Sequence, residues 1–300
     1  MISDNNNGHK RWIAVCILIL PAFCSYAQTV GDNSLFWKVT GKNIKEPSYL
    51  FGTFHLMGSE YIDSLTVVMD AFGKAKTLAG EMVLDESLSM RLMQEAIMTD
   101  TTLQDLLTDD VYASTASWLK ELTGMDLGML NKFNPSMIQM LITAMAQQKI
   151  GGKATTPMDL YFQNLAKADK KVEGLETFED QINVLFRNTS YRAQANHLAE
   201  FVSKRDSSEY MILKMNKMYR EQDLDGLMDM FFKSNYSTAE GDALLDSRNK
   251  KWMERLPELF AEQSTFVAVG ALHLPGKNGL VSLLRGQGYT VEPLNMGKRR

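Results

Sequence analysis

Twice in this chain a run of β-type residues ends in Gly-x-x-His and passes through a leucine into a glycine-containing loop. The first is Tyr49-Leu50-Phe51-Gly52-Thr53-Phe54-His55, followed by Leu56-Met57-Gly58. The second is Phe266-Val267-Ala268-Val269-Gly270-Ala271-Leu272-His273, followed by Leu274-Pro275-Gly276. Aromatic and β-branched residues bounded by Gly and Pro read as strands. The glycine permits a turn or a close backbone approach where each strand ends. Each histidine is then delivered at a strand's carboxyl end, which is where open α/β sheets place their sites.

The stretches around these two runs extend the alternation. Ser34–Val39 reads as a strand that can pair with the first run as a hairpin. Ser64–Lys76 has apolar residues at 65, 68, 69 and 72, the spacing of a helix. Thr77–Val83 is a short buried strand with one carboxylate, Glu81, embedded in it. About 85–150 and 176–263 are mainly helical. Asp85 and Thr108 are expected N-caps. Asn134-Pro135 and Thr156-Pro157 are expected helix starts with proline in the first turn. Lys171–Leu175 is expected to be a strand. Thr265–Val269, Gly279–Arg285 and Tyr289–Glu292 close the chain as strand, helix and strand. The expected architecture is α/β (α+β): a mixed central sheet covered by helices, with a large helical cap or insertion.

Residues 1–27 are set apart from that domain. Lys10 and Arg11 precede the apolar run Trp12–Phe23, and Ser25-Tyr26-Ala27 resembles a small-x-small cleavage site. This is a secretory signal pattern, too short for a comfortable membrane span. It implies a periplasmic or extracellular protein of residues 28–300. A lipid anchor at Cys24 is disfavoured by the bulky Phe23 before it. Both cysteines, Cys16 and Cys24, leave with the signal, so the mature chain has no thiol for a disulfide, a metal or a nucleophile. Removing Lys10, Arg11 and Asp4 from the 32 basic and 36 acidic residues leaves 30 and 35, a net charge of −5. With no basic stripe interleaved with aromatics, nucleic acid is not an expected partner. No further long apolar run follows position 27, so no integral span is expected in the mature chain.

Three histidines remain after position 27, and two of them lie in the matched contexts. Glu81 is the third candidate. A carboxylate among Leu78, Ala79, Met82 and Val83 is costly to bury unless it is paired or bound to a metal. Two histidines and a glutamate suit a borderline divalent ion such as Zn, Mn or Co. Such an ion lowers the pKa of water and polarises a carbonyl, which gives hydrolysis. Without a metal, histidine would act as general base with glutamate orienting it. No His-Glu-x-x-His helix, Gly-x-Ser-x-Gly elbow or Walker loop is present. His197, in the helical pattern Tyr191–Leu198, lacks the Gly-x-x-His context and reads as a structural residue. The clustered methionines (Met82, Met90, Met93, Met98; Met137, Met140, Met145; Met211, Met215, Met218, Met228, Met230) read as core filler at helical spacing, or as an adaptable groove.

The ordered set of motifs resembles the TraB/GumN family, which is related to Tiki-type proteases and more distantly to erythromycin-esterase-like and ChaN-like proteins. The resemblance runs through Phe36-Trp37-Lys38-Val39, the Gly52–His55 motif, Gly80-Glu81, Pro157-Met158-Asp159 and Gly174-Leu175-Glu176-Thr177 with Gln181. It ends with Arg248-Asn249-Lys250-Lys251-Trp252 and the Gly270–His273 motif. It implies an α/β fold in which the paired motifs and a glutamate form one site, and, for the Tiki branch, metal-dependent proteolysis. Met158 stands where relatives usually carry Gly or Val.

The resemblance also nominates Arg248 and Asn249 to bind a substrate carboxylate or an oxyanion, and Glu176 as a further acid/base residue. Asp159, three residues after Thr156, reads as part of a capping box, and Gln181 as packing or support. The leading expectation is an exported metal-dependent hydrolase of peptide or amide bonds, with His55, Glu81 and His273 holding the metal or activating water. A non-catalytic binder of a metal, haem or peptide on the same residues is the alternative. A methionine-rich scaffold for envelope partners is the third reading.

Overall fold

Along each inner strand the side chains alternate between two apolar layers, and that period of two builds the sheet. The computed structural model describes residues 33–296 except 56, 86, 152–155 and 234–237. Six strands form one sheet: β1 (Phe36–Thr40), β2 (Ser48–Thr53), β3 (Thr77–Gly80), β4 (Lys171–Gly174), β5 (Thr265–Gly270) and β6 (Thr290–Pro293). Their order is β4-β3-β5-β2-β1-β6. β4, β3, β5 and β2 run parallel, and β1 is antiparallel to both β2 and β6. The protein is therefore an α/β fold with a mixed sheet, and β1 and β2 form the expected hairpin, with Phe36 opposite Phe51.

Phe36, Phe51, Leu78 and Phe266 enter one layer. It is completed by Val68 and Phe72 of the helix Thr66–Lys74 and by Met158 and Phe162 of the helix Met158–Ala166. Their rings meet edge-on or tilted: Phe72 lies 5.5 Å from Phe266, and Phe162 5.2 Å from Phe266. Such aromatic pairs add to the area they bury. Trp37, Leu50, Ala79, Val267 and Val269 enter the opposite layer, against the helices Ser247–Glu262 and Leu280–Gly286.

A third core is wholly helical. Leu103, Trp118, Leu119, Leu127, Ile138, Ile142, Leu198 and Val202 pack together in a cap drawn from both helical stretches of the sequence. Helix Arg205–Glu221 ties this cap to the sheet. Its buried Tyr219 hydroxyl donates to the Gly52 carbonyl at 2.7 Å, and its ring stacks on Phe54 at 5.2 Å. The methionines divide: Met98 and Met158 are buried, Met90 and Met129 are exposed, and Met211, Met218 and Met230 line a cleft between helices. Among the described residues no helix is long and apolar enough to cross a membrane. The expected signal segment, with Cys16 and Cys24, lies outside the described residues.

Thr108 and Asn134 cap their helices through Val111 N and Met137 N. Two other expected starts are corrected. Asp85 turns its carboxylate onto the Ser87 amide and hydroxyl, a local turn that leaves Ser87 as the residue before the helix Leu88–Glu95. Pro157, not Thr156, precedes the helix Met158–Ala166, and Asp159 caps nothing. The Asp159 side chain is drawn instead to Thr53 and His55, across the layer.

The closest approach in the sheet is at Gly52. A Cβ there would stand 2.9 Å from the Ala271 Cα and 3.0 Å from Leu274 Cδ1. We expect Gly52→Ala to push these backbones apart and to cost about 1–3 kcal/mol. An unchanged midpoint in urea unfolding would contradict this.

Candidate active site

Parallel pairing carries the two Gly-x-x-His motifs to one edge. β2 and β5 are neighbours, with Gly52 opposite Val269 and Thr53 opposite Gly270. His55 and His273 therefore leave the same carboxyl edge on adjacent strands. β3 and β4 end there too and deliver Glu81 and Glu176, whose backbones remain paired past the strands: the Glu176 amide donates to the Glu81 carbonyl at 2.9 Å. Gln163 pins the turn after Glu81 from both sides. It donates to Met82 O and accepts from Leu84 N, each at 2.8 Å.

These side chains converge above Gly270. A Cβ at that position would lie 3.2 Å from Glu81 Oε1, 3.5 Å from His273 Cδ2 and 3.9 Å from His55 Nε2. The glycine keeps this space open, and its amide donates to Glu81 Oε1 at 2.8 Å.

Arg248, in the first turn of Ser247–Glu262, organises the acidic side. Its Nη2 donates to Glu81 Oε2 at 2.5 Å and to Glu176 Oε1 at 2.6 Å, and its Nε donates to Glu176 Oε2 at 2.9 Å. Gln181 Nε2 donates to both glutamates, and Trp252 Nε1 donates to Glu176. A buried charge is tolerated when it is paired and hydrogen-bonded this fully. Burial opposes ionisation of Glu81, but Arg248, His55 and the Gly270 amide hold its carboxyl well below the usual range. Burial likewise opposes the charge on Arg248, and Glu176 and Glu81 more than restore it.

The two histidines are held differently. Asn249 Nδ2 donates to two carbonyls, His273 O at 3.2 Å and Asn278 O at 2.9 Å, so its Oδ1 must be the atom 2.7 Å from His273 Nδ1. His273 is thus the Nδ1–H tautomer with a bare Nε2 lone pair facing Glu81 and Arg248. Burial pushes its pKa down to about 3. His55 instead sets Nδ1 2.6 Å from Asp159 Oδ2, and Asp159 Oδ1 accepts from Thr53 Oγ1 at 2.7 Å. The Asp159 carboxylate raises His55 to about 9. The His273 side chain is 4% exposed and that of His55 62%, so His55 is the solvent-facing member.

The donor set fits a borderline divalent ion. Two imidazoles, each anchored through Nδ1, and one carboxylate are the ligands and supports such ions take. Glu81 Oε1 and His273 Nε2 stand 3.8 Å apart, near the ~3.4 Å that separates two ligands of a tetrahedral ion. Glu81, Glu176 and Asp159 oppose one guanidinium, and a divalent cation beside a neutral His55 would balance them. As the side chains stand, the set is not closed. Among the described residues no three His, Asp or Glu close to metal-binding distances, and Arg248 Nη1 lies 3.2 Å from the His273 lone pair.

The structure thus brings together His55, Glu81, His273, Arg248, Asn249 and Glu176. Two of them are engaged otherwise than the sequence suggested. Asn249 is buried and spends its amide on His273 and Asn278, not on open space. Both Glu176 oxygens are taken by Arg248, Gln181 and Trp252, which makes it an anchor for the guanidinium. His197 lies in the cap, 3.9 Å from Glu240. Sequence reading missed the parts played by Asp159, Gln163 and Trp252. Asp159 and Gln163, polar at i and i+4 beside buried Met158 and Phe162, were the available signal.

A neutral, buried His273 makes stability depend on pH. The unfolded residue takes up a proton near 6.5, the folded one only near 3, so falling pH favours the unfolded chain across that window. In chelator-treated protein, stability should drop more steeply from pH 7 to pH 4 than in His273→Gln. Equal slopes in urea unfolding would show that His273 is not held neutral.

Residues 35–293 match the TraB/PrgY/gumN family. The chain is 21% identical to "Metalloprotease TIKI homolog" of Amphimedon queenslandica, over 95% of this chain and 67% of that protein. It is 22% identical to "Metalloprotease TIKI2" of Xenopus tropicalis over 89% of this chain, and 22% identical to "Metalloprotease TIKI2" of Danio rerio over 87%. Each of these last two alignments covers 61% of the relative, so the chain spans about three fifths of their length. No solved structure matches. With the family's match running from β1 to the end of β6, the chain belongs to the TraB/PrgY/gumN family.

Proposed function

We propose that this protein is an exported, metal-dependent hydrolase of peptide or amide bonds, working at the carboxyl edge of β2, β5 and β3. The observation that carries this reading is the convergence of His55, Glu81 and His273 over the bare Cα of Gly270. The relatives named as metalloproteases support it. Residues 1–27 support export to the periplasm or beyond, with residues 28–300 as the working domain.

His55 Nε2, Glu81 Oε1 and His273 Nε2 would hold the ion, which is Zn, Mn or Co by the character of the ligands. When bound, such an ion supplies Lewis acidity toward water and a scissile carbonyl. Asn249 holds the His273 lone pair toward the site. Glu176 and Gln181 keep Arg248 charged and aimed, and Arg248 faces the same space. There it can meet a substrate carboxylate or the negative charge that grows on a carbonyl oxygen. His55, the solvent-facing member, borders the open side from which a peptide or small-molecule substrate arrives.

Metal content is the direct test. Purified mature protein should carry close to one equivalent of divalent metal, and His55→Ala with His273→Ala should carry almost none. Equal content in both would overturn the metal assignment. Peptide-library cleavage with added Zn, Mn or Co should give product, and its absence would leave a binding protein.

Gly270→Ala is a sharper test of place. Gly270 sits at φ −50 and ψ 136, open to any L residue, so the fold should persist. The added methyl should crowd Glu81 and weaken metal binding by at least tenfold. Undiminished binding would put the metal elsewhere.

A further inference from the structure

The two histidines of the site share a motif but not a partner. His273 is backed by the neutral amide of Asn249, and His55 by the carboxylate of Asp159. Asp159 comes from the first turn of the helix Met158–Ala166, more than a hundred residues from His55 in sequence, and its carboxylate is only 17% exposed. Its second oxygen is held by Thr53, the residue two before His55 on β2. Thr53 itself is buried at the end of the strand that pairs with Gly270. The three form a chain, Thr53 Oγ1–H to Asp159 and Asp159 to His55 Nδ1, anchored in the sheet at one end and reaching the site at the other.

The geometry assigns Asp159 as the positioning residue of His55, acting through the Nδ1 proton to aim Nε2 over Gly270 and to strengthen it as an electron-pair donor. The physical reason is threefold. An ionised carboxylate can only accept, so Nδ1 must carry the proton and Nε2 must be the atom turned to the site. The Thr53 bond fixes the carboxylate plane, which fixes the ring. A full negative charge on Nδ1–H pushes more electron density onto Nε2 than an amide does. The exposed histidine needs this support. The Asn249-backed ring is walled in by Trp252, 4.4 Å away between ring centres. The His55 side chain lies mostly in solvent, and its Nδ1 is hydrogen-bonded to the Asp159 carboxylate. The family motif that ends in Asp159 thereby gains a role at the site in place of the capping expected of it.

This inference rests on the metal reading for its consequence, but not for its contact. Three variants separate charge from geometry. Asp159→Asn keeps the shape, with an amide oxygen left to accept from Nδ1 as at His273, and removes the charge. Asp159→Ala removes both. Thr53→Val keeps a β-branched strand residue and releases only the carboxylate plane.

Zn2+ titration of purified mature protein should show binding weakened on the order of tenfold in Asp159→Asn and toward a hundredfold in Asp159→Ala. Thr53→Val should give a smaller loss in the same direction. Thermal midpoints should stay close to that of the parent. In proton NMR the His55 Nδ1–H resonance should lie far downfield in the parent, shift upfield in Asp159→Asn and vanish by exchange in Asp159→Ala. Zn2+ affinity within twofold of the parent in both Asp159 variants would overturn the inference, as would a Nδ1–H resonance indifferent to them. If the parent itself binds no divalent metal, the proposed function fails. The NMR readout then decides the positioning contact alone.

Discussion

The approach of β2 to the turn after β5 is the constraint on which the rest depends. Gly52 lies so near Ala271 that no side chain fits between them. Given that approach, parallel pairing in register puts Thr53 opposite Gly270 and sends both Gly-x-x-His turns off one edge. The same edge receives the ends of β3 and β4, and with them two glutamates. Two of the motif glycines do separate work. Gly52 lets the backbones close, and Gly270 leaves a side-chain-sized space bordered by Glu81, His273 and His55. The duplication in sequence is thus a consequence of two neighbouring strands meeting one requirement at one edge.

Around that space the electrostatics are steep and balanced. Glu81 and Glu176 sit in a region of low solvent access, where an unpaired carboxylate would cost several kcal/mol. Arg248 lies between them, and Gln181, Trp252 and the Gly270 amide satisfy their remaining lone pairs. Arg248 also stands over the Trp252 ring at 4.9 Å, a cation–π contact that holds the guanidinium from its other face. The histidines divide the site by environment. One is buried, neutral and tautomerically locked by an amide; the other faces water and leans on a carboxylate. Two chemically different nitrogens thereby arise from one repeated motif.

The cap meets the site by contact. It has a separate core around Trp118, Ile138 and Leu198. It reaches the sheet where Tyr219 closes on Gly52 and Phe54, the first and third residues of the first motif. The helix Ser247–Glu262 reaches the site from the opposite layer. It is preceded by a π-helical turn at Asp242–Asp246, whose Leu244 carbonyl accepts from Arg248 Nη1. Wide turns of this kind often sit beside functional residues.

Local sequence was sufficient for the strands, their alternating faces, the two matched histidine turns and a carboxylate that had to be paired. Those features are written in periods of two and in the scarcity of histidine, and they need no long-range information. Caps were legible where the side chain had no competing partner, as at Thr108 and Asn134. They failed at Asp159, where a tertiary partner outbid the local one. Only the folded chain decided which carboxylate serves which histidine, that Glu176 anchors Arg248, and that Asn249 faces inward. Those choices depend on residues more than twenty and up to nearly two hundred positions apart, brought together by strand order and register, which no local pattern encodes.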